Sequence, residues 1–110
     1  MRFRNRAALM LDLDGRIAFA STYFSELIGA EHLEMVGKSC FDFVFHDDME
    51  TARKLFHVNS VRYAAPVRLR LRQNDGSEVW TDVVVAPMQT ASGEVYGMTA
   101  TITAAPTNGA

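Results

Sequence analysis

The sequence contains little of what several protein classes require. Its 110 residues include one cysteine, which excludes an intrachain disulfide and suits a reducing compartment. The only apolar run near the start, Ala7 to Leu11, ends after five residues at Asp12, too soon for a signal peptide or a membrane span. The net charge of −2 provides no general attraction to nucleic acid. We therefore expect a cytoplasmic protein with neither a membrane span nor a nucleic-acid partner.

The clearest pattern lies between residues 66 and 103. Apolar residues alternate with arginine from Val67 to Arg72, as in a strand with one buried face. An Asn-Asp-Gly-Ser turn at 74–77 leads to a β-branched strand that Pro87 ends. A Ser-Gly turn at 92–93 then leads to a third strand. These features predict three consecutive antiparallel strands.

The first half of the chain predicts two more strands, at 8–13 and 16–20, followed by short helices. Ser21 or Thr22 caps the first helix and Gly29 ends it. The aromatic run 39–45 fits a buried strand or a short helix, and a longer helix begins at Asp47 or Asp48. We predict an α+β fold, a five-stranded antiparallel sheet with helices packed on one face. The domain covers 8–103, between a flanking segment 1–7 and a flexible tail 104–110.

The order of these elements, with the residues that separate them, resembles a PAS domain. The segments that carry the resemblance are Leu13-Asp14-Gly15-Arg16-Ile17, Phe24-Ser25-Glu26-Leu27-Ile28-Gly29, Val36-Gly37-Lys38-Ser39, His46-Asp47-Asp48, Asn74-Asp75-Gly76-Ser77 and Pro87-Met88. The resemblance implies a non-catalytic sensory and dimerisation module, cut from a signalling protein such as a histidine kinase of a two-component system. It also implies a possible ligand cavity between sheet and helices, and an outer sheet face that pairs with a second subunit or a flanking helix.

Side chains at alternate positions of the last three strands form two layers, and these predict the functional surfaces. Small and hydroxyl residues on the inward layer leave room for a modest ligand, although a core filled by Met and Phe is the alternative. The predicted cavity residues are Phe19, Cys40, Phe43, Thr81, Val83, Thr99 and Thr101. An apolar outward layer predicts a homodimer. The predicted interface residues are Trp80, Val84, Tyr96, Met98 and Ile102.

Flavin and haem are the cofactors to consider under this resemblance. Cys40 stands where the light-sensing LOV branch carries its flavin-reactive cysteine, but Phe41 and Val44 replace the Arg and Gln of that branch. The strand positions that hold the flavin ring there, at Leu71, Thr81 and about Thr101, are not amides here. For haem, the middle turns of the longer helix contain no histidine: His57 is at its far end, and His46 and His32 lie outside it. No cofactor is predicted, and a flavin or haem sensor is the alternative.

One enzymatic alternative arises from Asp12-Leu13-Asp14-Gly15. This motif after an apolar strand resembles the nucleophile motif of haloacid-dehalogenase-type phosphatases, with Asp47-Asp48 as the later magnesium-binding pair. Such enzymes need a parallel sheet with crossover helices, for which the chain is too short. The Asp14-Gly15 turn explains the same residues, so we predict no enzymatic activity and no metal site.

Overall fold

The computed structural model describes residues 6–57 and 65–105. Five antiparallel strands form one sheet in the order β2-β1-β5-β4-β3, so β5 lies at its centre. This confirms the predicted sheet. The bounds are β1 Arg6–Leu11, β2 Ile17–Ala20, β3 Val67–Arg72, β4 Glu78–Gln89 and β5 Val95–Ala104. The predicted flanking segment and tail fall largely on residues 1–5 and 106–110, which lie outside the described residues.

Short helices connect β2 to β3. Ser21 accepts a hydrogen bond from the Phe24 amide and so caps α1, and Gly29 ends it in the left-handed conformation with φ of 84°. The aromatic run around Cys40 is a 3₁₀ helix, which answers the question that its periodicity left open. The bounds are α1 Thr22–Ile28, α2 His32–Met35, the 3₁₀ segments Cys40–Phe43 and His46–Asp48, and α3 Met49–His57. None of the helices among the described residues is long and apolar enough to cross a membrane.

The core lies between the sheet and these helices. On β3 and β4 the inward positions are those that the alternation predicts, including Leu69, Leu71 and Val83. Thr81 is the one polar side chain among the buried residues described, and its hydroxyl donates to the Leu69 carbonyl oxygen at 2.8 Å. Its hydrogen-bonding capacity is therefore met inside the fold.

The predicted phase of β5 is wrong. Val83 pairs with Ile102 and Val85 with Ala100, so Met98, Ala100 and Ile102 face the core. Alternation within a strand defines two faces but does not say which one matches the neighbour. A shift of one residue in pairing exchanges every side chain between core and outer face. Here the turn length and a register irregularity at Met88–Gln89 fix the pairing.

Candidate functional site

A small cavity lies between the sheet and the layer formed by α3 and the 3₁₀ segment Cys40–Phe43. Its volume is ≈ 60 Å³. The described lining is hydrocarbon and aromatic apart from one thiol, so the cavity offers almost no polar group to a ligand. The lining residues are Leu9, Leu11, Phe24, Cys40, Phe41, Val44, Ala52, Leu55, Phe56, Leu69, Leu71, Val83, Val85, Ala100 and Ile102.

The half-buried members of this lining mark the side on which the cavity approaches solvent. They are Cys40, Phe41, Leu55 and Phe56, whereas the other lining residues are buried. The rings of Phe41 and Phe56 meet edge to face with centroids 5.8 Å apart. The turn between β1 and β2 closes over them: a Cβ on Gly15 would lie 3.4 Å from Phe41 Cε2. Together these groups form the cavity mouth.

The Cys40 thiol is chemically quiet in this environment. Burial raises its pKa to about 11, and the nearby Asp42 and Asp12 carboxylates add to the increase. Its backbone amide donates to the Gly15 carbonyl oxygen at 2.8 Å, which ties the 3₁₀ segment to the β1–β2 turn. At neutral pH the thiol is protonated and therefore a weak nucleophile.

The described lining does not fit a flavin or a haem. A flavin ring needs partners for its polar edges, each of which costs about 1–3 kcal/mol when buried unpaired. Among the described lining residues there is no amide, hydroxyl or charged side chain, and the cavity volume is far below that of either group. The histidines do not approach it: His46 pairs with Asp47 at 3.0 Å with 79% of its side chain exposed, and His32 and His57 are exposed.

Two of the predicted cavity residues, Cys40 and Val83, line the cavity. Thr81 lies on the same side of the sheet but is occupied by its bond to Leu69. Phe43 packs beside the cavity, edge to face with Phe24 at 6.2 Å, without lining it.

The other three predicted cavity residues lie on the opposite face of the sheet. Thr99 and Thr101 point outward because of the corrected β5 phase. Phe19 is 45% exposed and pairs with Met10 across β1 and β2, outside the core. Placing these three in the cavity was wrong, because their faces depend on pairing between distant strands.

Sequence reasoning missed the residues that form the mouth. Phe56 and Leu55 belong to the apolar stripe of α3, and Phe41 to the aromatic run, so both signals were visible in the sequence. Neither signal shows that Phe41 and Phe56 meet the β1–β2 turn, because that contact arises only in the three-dimensional fold. Val44 is likewise buried in the wall of the cavity.

The outer sheet face is divided into an apolar half and a charged half. Along β4 the outward residues pass from Glu78, Trp80 and Asp82 to the apolar Val84. Three rows follow from the register: Phe19, Met10, Thr99 and Ala86; then Ala8, Thr101 and Val84; then Arg6, Thr103, Asp82 and Arg68. The first two rows form the apolar half. The third row is polar, with Arg68 and Asp82 paired at 2.6 Å.

Three predicted interface residues are accessible and two are not. Trp80 and Val84 point outward and are half-buried, and Tyr96 is 56% exposed. Met98 and Ile102 are buried in the core, 1% and 3% exposed, so their placement on the outer face was wrong. The same phase error of β5 that misplaced the threonines accounts for both.

At the charged end of the outer face, Arg70 is surrounded by partners. Its guanidinium meets the Asp48 carboxylate twice, Nη2 to Oδ1 at 2.9 Å and Nε to Oδ2 at 3.1 Å. The guanidinium carbon also lies 4.8 Å from the Trp80 ring centroid and 5.1 Å from that of Phe45. The hydrogen bonds from Arg70 hold the pKa of Asp48 below its ordinary value.

The acidic pairs do not form a phosphatase site. The Asp12 carboxylate accepts hydrogen bonds of 2.9 Å from the backbone amides of Asp14 and Arg16, as in a tight turn. Asp48 is engaged by Arg70 on an antiparallel sheet. Within 6–57 and 65–105, no group of three or more metal-binding side chains is close enough to hold a metal ion.

Comparisons with known proteins agree with this architecture. The PAS domain of a protein from Colwellia psychrerythraea superimposes with a TM-score of 0.83 at 16% identity, covering 91% of this chain and 86% of that one. The PAS domain of an HTR-like protein from Haloarcula marismortui gives 0.75 at 20% identity, covering 91% and 81%. A light-oxygen-voltage domain structure, from work on a flavin analogue, gives 0.76 at 21% identity, covering 92% and 78%.

At these identities the likeness concerns the fold. No curated protein sequence matches the chain significantly. A family model described as PAS domain matches residues 5–103, nearly the whole chain, and the sheet order, the helical layer and the cavity agree with that match. The chain belongs to the PAS domain family, whose members are sensory modules.

Proposed function

We propose that this PAS domain is a non-catalytic sensory and dimerisation module of a larger cytoplasmic signalling protein, a histidine kinase or similar. In this proposal a small molecule enters the cavity and alters the packing of the helical layer on the sheet. The apolar cavity with its half-buried mouth is the observation that carries the proposal. The flanking signalling domains receive the change.

The lining defines the class of ligand. A charged or strongly polar molecule would lose its hydration in this cavity and gain no hydrogen bonds in return. For an ion this desolvation costs several kcal/mol. An apolar cavity of about 150 Å³ binds benzene in another protein, so a cavity of ≈ 60 Å³ admits such a molecule only if it expands. The ligand is therefore a small uncharged apolar molecule, and the Phe41–Phe56 pair moves to admit it.

Dimerisation uses the apolar half of the outer face. Phe19, Met10 and Val84 present apolar surface around the threonines of the central strand. A second copy covering this half would remove that surface from water at about 25 cal/mol per Å². The charged half lies beside it and supplies a polar rim.

Benzene titration followed by amide NMR tests the ligand proposal. We expect saturable shifts at lining residues in the wild type. Ala100→Leu fills the cavity from β5 and abolishes them, whereas Ala86→Leu makes the same change on the outer face and leaves them intact. Absence of saturable binding in the wild type, or equal binding by the Ala100→Leu variant, would overturn the proposal.

A further inference from the structure

We propose that Arg70 is a positioning residue that couples the wall of the cavity to Trp80 on the outer face of the sheet. Its value for signalling rests on the proposed function, but the mechanical coupling itself does not. Through this coupling a displacement at the mouth would reach Trp80 around the β3 edge of the sheet, without passing through the hydrophobic core.

The segment Val44–Asp48 runs along the edge of β3. Val44 forms an isolated bridge with Leu71. The Phe45 amide donates to the Arg70 carbonyl oxygen at 3.0 Å, and the Arg70 amide donates to Asp48 Oδ2 at 2.7 Å. The segment thus moves with β3 or breaks these bonds.

This segment also forms part of the cavity wall. Val44 is buried and lines the cavity, while Asp48 immediately precedes α3. Leu55 and Phe56 on α3 form part of the mouth. Any widening of the mouth that moves α3 away from the 3₁₀ segment Cys40–Phe43 therefore acts on both ends of Val44–Asp48.

The Arg70 side chain is held from two sides, by the segment Val44–Asp48 and by β4. A planar guanidinium can donate two parallel hydrogen bonds to one carboxylate while its face lies against an aromatic ring. Here it does both, with Asp48 and Phe45 on the segment and Trp80 on β4. Glu78 and Asp47 lie farther away, 3.5 and 3.9 Å from Nη1, and offer weaker alternative partners.

The single tryptophan provides the test, because its indole N–H gives one ¹⁵N resonance without any ligand or dimer. Val44→Ala perturbs the cavity wall within the segment Val44–Asp48. We expect it to shift the Trp80 resonance in the otherwise wild-type protein. Arg70→Lys keeps the charge but loses the paired hydrogen bonds and the stacking on Trp80. In this background the Trp80 shift caused by Val44→Ala falls to about a third or less of its wild-type value. Leu9→Ala opens the same cavity from β1 and serves as the matched control, with little shift in either background.

Equal Val44→Ala shifts in both backgrounds would overturn the proposal, as would a Leu9→Ala shift as large as that of Val44→Ala. Asp48→Asn interrupts the link from the other side and replaces Arg70→Lys if that variant does not fold. The benzene titration is independent: a wild type that binds no benzene refutes the proposed ligand but leaves the coupling measurement unchanged. A wild type that binds benzene without the Arg70-dependent shift refutes only the coupling.

Discussion

The Thr81 hydroxyl and the Leu69 carbonyl oxygen lie 2.8 Å apart on neighbouring strands, inside the core. Thr81→Val keeps the shape of the side chain but removes the donor. We expect the free energy of unfolding to fall by about 1 kcal/mol, because a buried carbonyl loses a partner. Urea denaturation measures the difference.

The same substitution at Thr99 is the control for this prediction. Thr99 is half-buried on the outer face, and its hydroxyl lies 3.4 Å from the Ala86 carbonyl oxygen. We expect Thr99→Val to change stability by less than about 0.5 kcal/mol. Equal losses at the two positions would mean that the Thr81 bond is unimportant.

Asp48→Asn tests the ion pair with Arg70 and its dependence on pH. Asp48 is 16% exposed, and the neutral amide weakens both contacts with the guanidinium, so we expect a loss of about 1 kcal/mol at pH 7. The folded-state pKa of Asp48 is lowered, chiefly by its side-chain hydrogen bonds to Arg70. Its stabilising contribution is therefore complete above the unfolded pKa and is lost as pH falls through the folded value.

Urea denaturation of the two proteins across pH measures this effect. The stability gap between wild type and Asp48→Asn should narrow steadily as the solution is acidified below the ordinary carboxyl pKa of 3.8. Asp47→Asn is the neighbouring control, since Asp47 lies 3.9 Å from Arg70 with 54% of its side chain exposed. A gap that stays constant with pH would contradict the assignment.

Ile102→Ala tests the phase of the central strand. Ile102 is buried against the cavity, so we expect a loss of about 2–5 kcal/mol in the free energy of unfolding. Thr101→Ala, one residue earlier and on the outer face, should cost much less. Comparable losses, or a larger one at Thr101, would restore the phase that alternation alone suggests.

Val84→Glu tests the proposed dimer by placing a charge in the apolar half of the outer face. We expect self-association, measured by sedimentation equilibrium, to weaken by at least about tenfold, because the buried carboxylate would have no partner. Leu33→Glu is the control: Leu33 is exposed on α2 and belongs to none of the three rows of the outer sheet face. Identical association by wild type and Val84→Glu would exclude this half as the interface.

The elements of this fold could be predicted because their signals are local. Alternation from Val67 to Arg72, the cap at Ser21 and the stop at Gly29 each act within a few residues. The pairing of β5 is not local. It depends on the turn after β4 and on a register irregularity, and one residue of offset exchanged Met98 and Ile102 with Thr99 and Thr101.

The candidate site was predictable to the extent that it follows from single strands. Cys40 and Val83 line the cavity, and their part in a ligand site stays a prediction. The mouth arises from contacts between the β1–β2 turn, the 3₁₀ segment Cys40–Phe43 and α3. Arg70 illustrates the same limit. Its spacing in an alternating strand predicts a solvated arginine, and only the return of Phe45 and Asp48 to the edge of β3 reveals its partners.

Because Cys40 is partly buried, the rate of its alkylation reports how often the domain opens. With its pKa raised to about 11 by burial, the thiol is almost entirely protonated at pH 7, so an alkylating reagent reacts slowly with it. Cys40 is half-buried beside the mouth, so excursions in which the helical layer parts from the sheet expose the thiol further and speed its reaction. The labelling half-time of the unmodified chain therefore depends on how often those excursions occur. A molecule in the cavity that holds the helical layer against the sheet lengthens that half-time.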